Sequence, residues 1–252
     1  MSPFSNNAAR PLATVLLQAG PLTAALLNTV LLPAWSTVLR AAEPVATIVE
    51  TFDAAFDAKR FTTPIPNKNT SVRDGALWTR GSSGGKYPPM VYLPVAGTDL
   101  TISFRYRHLG DGGWLWFFVD GDDGFGGVDH MLRVKLLRDG VQLQVDAHTR
   151  DADHPQRQKP ERPADPVGGA YRLNEFLPPE KTTTLSNGTW REVQLVFRGE
   201  SVLITVDRTT WRKSLDRPCF HAAKRKLLWM QNGGEQGIEL DDIRVAPTCA
   251  VP

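Results

Sequence analysis

The chain of 252 residues has only two cysteines, and its first 42 residues contain no aspartate, glutamate or lysine. Two cysteines are too few for a disulfide framework, and the spacing of Cys219 and Cys249 matches no metal-binding pattern. The pair suits either one bridge that ties the C-terminal tail to the preceding loop in an oxidising compartment, or two unbridged thiols. The longest apolar stretch near the start, Leu22 to Leu32, is flanked or broken by Gln18, Gly20, Pro21, Asn28 and Pro33. It falls short of the roughly 20 uninterrupted apolar residues that a membrane span needs. No sustained helical period follows residue 43, so a helical bundle is excluded. Walker-type phosphate loops, dinucleotide fingerprints and zinc helices are absent, and Arg80-Gly81-Ser82-Ser83-Gly84 lacks the strand-to-helix flanks of a hydrolase elbow.

Residues 1–42 combine a weakly basic start at Arg10, a short apolar run, and small residues at Ala41 and Ala42. This layout predicts a secretory signal, with a retained anchor as the alternative. Cleavage would leave no stable membrane span and would place the protein outside the cell, in the periplasm or in the cell envelope. Without Arg10 and Arg40 the remainder carries equal numbers of basic and acidic side chains. Binding to phosphate backbones needs clustered, unbalanced cations, so nucleic acid is not an expected partner. Residues 43–252 suit a single β-sandwich domain.

After the signal, apolar and polar residues alternate between turn signals, the pattern of strands with one buried face. Ile102, Phe104 and Tyr106 oppose Ser103, Arg105 and Arg107; Leu132, Val134 and Leu136 oppose Arg133 and Lys135. Val141, Leu143 and Val145 follow across Asp139-Gly140, a strong hairpin signal. A second hairpin runs from Trp190 to Phe197 and from Val202 to Val206. Shorter strands are expected at Ile48–Phe52, Ala76–Arg80, Trp114–Val119, Leu227–Gln231 and Ile238–Val245. The total is about ten strands and no obligatory helix, the mark of a sandwich or barrel. Residues 147–184, rich in proline and charge, read as one long inserted loop.

Several strings occur together in order: Glu50-Thr51-Phe52-Asp53, Asp74-Gly75-Ala76-Leu77-Trp78, His130-Met131-Leu132-Arg133-Val134, Asp139-Gly140-Val141-Gln142-Leu143, Trp190-Arg191-Glu192-Val193 and the closing Leu240-Asp241-Asp242-Ile243-Arg244-Val245. From about residue 47 to 247 the chain thereby resembles the laminin G and concanavalin A-like jelly-roll proteins of exported bacterial type, especially those called 3-keto-disaccharide hydrolase-like. The resemblance implies an all-β, two-layer antiparallel jelly-roll sandwich with a concave face often used for carbohydrate. It does not imply a reaction, because one fold serves many functions. Laminarinase-type glycosidases of this fold alternate Glu, Asp and Glu on one strand; here Arg244 stands where the second glutamate would be needed. Glu239 and Asp241 are therefore expected to be a strand-edge acidic cluster or calcium-side ligands.

The strand Trp114 to Val119 is apolar on both faces, so one face must be covered or offered to a ligand. Trp116 is a candidate for stacking on a sugar ring, and Trp229 and Gln231, which share a parity, could extend the same platform. Arg105, Arg107, Arg133 and Lys135 face outward beside Gln142, Gln144, Asp146 and His148; on one sheet they would make a polar, partly cationic floor for hydroxyls or a carboxylate. The alternative is an ordinary solvated face. His130 stands at its strand's start with inward parity and is either a structural or a contacting histidine. Asp146 and His148, two apart on one strand, could act as acid and base on a glycosidic bond. No cofactor is required; calcium is the one left open, at Asp120, Asp122 and Asp123, whose spacing is not that of an EF-hand. The chain thus reads as a secreted sandwich that binds or processes a saccharide or glycan. The alternative is a noncatalytic adhesion or assembly module of the cell envelope.

Overall fold

Period-two alternation becomes strand through most of the described part of the computed structural model, residues 46–54, 60–61, 69–81, 88–121, 129–149, 171–208, 210–232 and 234–249. All belong to the unit Glu43–Pro252. The strands are β1 (Ile48–Glu50), β2 (Thr70–Arg73), β3 (Ala76–Thr79), β4 (Met90–Gly97), β5 (Leu100–His108), β6 (Trp114–Gly121), β7 (Asp129–Leu136) and β8 (Gly140–Thr149). They continue with β9 (Tyr171–Phe176), β10 (Glu180–Lys181), β11 (Arg191–Arg198), β12 (Ser201–Val206), β13 (Trp211–Asp216), β14 (Lys224–Asn232) and β15 (Ile238–Pro247). One turn of 3-10 helix, Pro218–His221, precedes β14.

Two antiparallel sheets result. The eight-stranded sheet runs β13-β12-β11-β5-β15-β3-β2 with β1 also paired to β15; the seven-stranded sheet runs β10-β8-β7-β6-β14-β4 with β9 also paired to β8. The expected hairpin at Asp139-Gly140 joins β7 to β8, with Leu136 opposite Val141. Gly199, at a positive φ of 54°, turns β11 into β12. The strand count exceeds ten because edge strands carry weak signals: β13 buries only Trp211 and Leu215, and Pro94 interrupts the pattern of β4. Residues 147–184 are not one loop. β8 continues to Thr149, and β9 and β10 pair back onto it, placing Asn174 opposite Asp146 and Glu180 opposite Val141. Residues 150–170 lie outside the described set.

The core fills the space between the sheets. Ile102, Phe104, Tyr106, Leu195 and Leu240 of one sheet meet Phe117, Val119, Leu132, Val134 and Leu227 of the other. At its centre Trp229 packs edge-on against Phe104 at 5.7 Å between ring centroids and against Phe117 at 5.1 Å. Burying an aromatic of this size supplies on the order of a few kcal/mol.

Three basic side chains are also buried. Arg191 donates to Asp207 (Nε to Oδ2, 2.8 Å), to the Arg138 carbonyl and to Thr182 Oγ1, so its charge is paired. Near it, burial, reinforced by the charges of Arg191 and Arg138, pushes His108 down to about 4. The Lys224 ammonium donates to the carbonyls of Thr98 and Phe220 and lies 4.5 Å from the Phe197 ring centroid. Burial lowers its pKa to about 8, against the attraction of Asp99. Of the two alternatives for the cysteines, the structure has the unbridged thiols. Cys219 is buried in the 3-10 turn with its thiol 3.4 Å from the Asp146 carbonyl, whereas Cys249 is exposed beyond β15, so the tail is held by strand pairing instead.

Candidate functional site

The strand with two apolar faces is β6, the fourth of six along the path of the seven-stranded sheet. Leu115, Phe117 and Val119 point into the core, which leaves Trp114, Trp116 and Phe118 on the outer face. These three form a continuous aromatic ladder: Trp114 meets Trp116 at 5.7 Å edge-on, and Trp116 stacks on Phe118 at 5.6 Å with 25° between planes. Cross-strand register sets Lys135 opposite Trp116 and Arg133 opposite Phe118. The Lys135 ammonium lies 5.3 Å from the Trp114 centroid and 5.6 Å from that of Trp116. The Arg133 guanidinium lies 5.5 Å from Phe118 and donates to Gln144 Oε1 at 2.6 Å. All three ring contacts are within cation–π range. Gln144 and Asp146 on β8, each 2% exposed, continue the face as buried polar groups. His148 is on the same face by backbone register, but its side chain, like Asp122 and Asp123, lies outside the described residues.

A bulge between β6 and β7 adds a pair of groups that strict alternation hides. The register shifts after Val119, so Asp120 faces His130 and the extra residue, Met131, turns inward and is fully buried. Gly121 makes room for it; a Cβ there would lie 2.5 Å from the Met131 methyl. His130 is therefore outward, contrary to its expected inward parity. Its Nδ1 is 2.7 Å from Asp120 Oδ1, and its ring packs on Phe118 at 4.9 Å. Asp120 is almost inaccessible, and a buried carboxylate must be paired. Its second oxygen is 3.1 Å from Lys226 Nζ. The sequence signal for this dyad was the consecutive apolar pair Met131-Leu132, which breaks the period of two.

Two parts of the expected site are corrected. Trp229 and Gln231 do share a parity, but it is the inward one, and each is 2% exposed; the outward residues of β14 are Lys226, Leu228 and Met230. Arg105 and Arg107 do face outward, but from β5, on the opposite side of the sandwich from Trp116 and Arg133. There Arg105 pairs with Asp241 and Asp242, and Arg107 with Glu239. Both guanidinium groups pack on Trp190, 4.6 and 4.4 Å from its ring centroid. The acidic string of β15 is thus neutralised by β5 across the register Asp241–Arg105 and Glu239–Arg107. A depression of about 500 Å³ on that face is lined by Arg105, Glu192, Gln194, Arg208, Asp242 and Arg244 among others. Its charges are largely spent on one another, Arg208 on Glu192 included. The aromatic face of the other sheet is the stronger candidate, because it offers two part-exposed indoles beside cations that reach solvent.

Among the described residues no three His, Cys, Asp or Glu side chains converge where a metal ion could sit. Asp120, one of the three acids considered for calcium, is committed to His130 and Lys226. Among the described residues no helix is long and apolar enough to cross a membrane.

No protein-family model matches the chain, and no curated protein matches it in sequence. Solved structures do. LamAcat from Zobellia galactanivorans superposes with a TM-score of 0.51 at 14% identity, covering 81% of this chain and 98% of that one. The carbohydrate recognition domain of Emp46p, in its metal-free form, gives 0.51 at 9% identity over 81% of this chain and 97% of that one. The fold is the concanavalin A-like jelly roll. A sialidase matches with a TM-score of 0.53 at 10% identity over 81% of this chain; the chain spans only 18% of that enzyme's length. At such identities the likeness to these jelly rolls carries architecture and no residue roles.

Proposed function

We propose that this jelly roll binds a saccharide across the outer face of its seven-stranded sheet and that it does so as an exported protein. The observation that carries the reading is the pair Trp114 and Trp116, both part-exposed on the outer face, with the buried Phe118 ring stacked against Trp116. Indole faces accept the apolar C–H face of a pyranose, while Arg133 and His130, both part-exposed, stand beside them to meet its hydroxyls. The name of one structural relative, a carbohydrate recognition domain, lends support at the level of fold. Losing one indole face of roughly 60 Å² at about 25 cal/mol per Å² costs ~1.5 kcal/mol, or about tenfold in affinity. A glycan array with the full-length protein tests this. Wild type is expected to retain a saccharide that folded Trp116→Ala releases; a folded wild type that retains none removes the reading and leaves the aromatic face as a protein interface.

A second reading, glycan processing, is favoured by the Asp120–His130 dyad. A buried carboxylate that fixes an imidazole beside a stacking surface is an arrangement suited to proton transfer at a glycosidic oxygen. In that case His130→Ala abolishes turnover of the retained glycan while binding persists. Turnover that survives the change rules His130 out as acid or base.

A further inference from the structure

Among the described residues the accessible charges on the aromatic face have one sign. Its described carboxylates, Asp120 and Asp146, are 4% and 2% exposed, and Asp120 is already paired with His130 and Lys226. Its cations reach solvent: Arg133 and Lys135 are both part-exposed, and the Lys226 side chain is 34% exposed. Among the described residues Lys135 makes no ion pair, and its ammonium lies over the rings of Trp114 and Trp116. The other outer face is unlike this, since each of Arg105, Arg107 and Arg208 there meets a carboxylate. A lysine held over two indoles keeps its remaining N–H donors for a ligand stacked on the same rings, and a point charge in that position attracts an anion without demanding a planar fork.

We propose that the saccharide bound here is anionic, bearing a carboxylate or sulfate that Lys135 receives while the ring stacks on Trp116. This rests on the saccharide reading above and adds the class of sugar. A partly exposed charge pair is worth at most about 1 kcal/mol, which predicts an advantage of about fivefold over a neutral sugar at low ionic strength. The advantage should fall as salt is raised.

The experiment is isothermal titration of the full-length protein with three probes of equal length: a galacturonate oligosaccharide, its carboxyl-reduced neutral counterpart, and a sulfated neutral oligosaccharide. The expected result is tighter binding of an anionic probe, closing at high salt and in Lys135→Gln and retained in Lys135→Arg. An advantage for the uronate alone assigns a carboxylate, and one for the sulfated probe alone assigns a sulfate ester. Equal affinity for all three probes, with loss of binding in Trp116→Ala, overturns the anionic class and leaves the saccharide reading standing. A gap that survives Lys135→Gln likewise overturns the role of Lys135. No binding of any probe by folded protein overturns both.

Discussion

The buried ammonium of Lys224 makes stability depend on pH in a direction that the structure determines. In the folded protein burial holds its pKa at about 8; in the unfolded chain it returns to 10.5. Between those values the unfolded state binds more protons, so stability rises with pH across this window, is complete above 10.5, and is progressively lost as pH falls toward 8. The depression corresponds to roughly 3 kcal/mol as an upper figure. Two carbonyl acceptors and Asp99 favour the charged form, so the realised gain is a fraction of that. The useful range ends near pH 10 by a separate cause. Burial raises the pKa of Tyr106, and an unfolded tyrosine that ionises first then destabilises the fold. The assay is urea unfolding followed by tryptophan fluorescence at several pH values from about 8 to 9.5, on wild type and on Lys224→Met. The variant strands the Thr98 and Phe220 carbonyls and so loses stability at every pH, but it lacks the slope. Parallel curves for the two proteins would refute the argument, whatever their vertical offset.

Three further outcomes follow from the same geometry. His108, held near 4 against an ordinary 6.5, binds protons in the unfolded chain first, so stability falls as pH drops from 6.5 toward 4; His108→Gln should flatten that limb of an acid denaturation curve. Trp229→Ala should cost about 3–5 kcal/mol in urea unfolding, while Trp116→Ala, on the open face, should cost about 1 kcal/mol or less; similar losses would contradict the assignment of inner and outer faces. Arg105→Ala should leave saccharide affinity unchanged, because its guanidinium is spent on Asp241 and Asp242 on the far side of the sandwich; a drop in titrated affinity would place the ligand there.

Local pattern revealed strands wherever one face was clearly apolar. Val134 against Arg133, or Leu195 against Gln194, admits one orientation, and Asp139-Gly140 fixes where the chain reverses. β14 was different, because Leu227, Trp229, Leu228 and Met230 make both faces apolar and leave the inward side undetermined until β4 and β6 pair with it. For Arg105 and Arg133 parity was read correctly, and it still could not place them together. Alternation tells whether a side chain leaves its own sheet outward, whereas the choice of sheet comes from partners far along the chain, β11 and β15 for Arg105. The Asp120–His130 pair escaped for a third reason. A bulge inserts one residue, and every parity counted across Met131 from the strand's far end is reversed at His130.

The position of β15 bears on how the protein is made. It lies between β5 and β3 and also pairs with β1, so three strands that precede it in the chain gain their neighbour on that side only once β15 docks. Leu77, Ile102 and Tyr106 must wait beside an open gap, in a chain whose sheet contacts are mostly distant in sequence. Until β15 docks, these edges are unpaired and open to pairing with a strand of another chain.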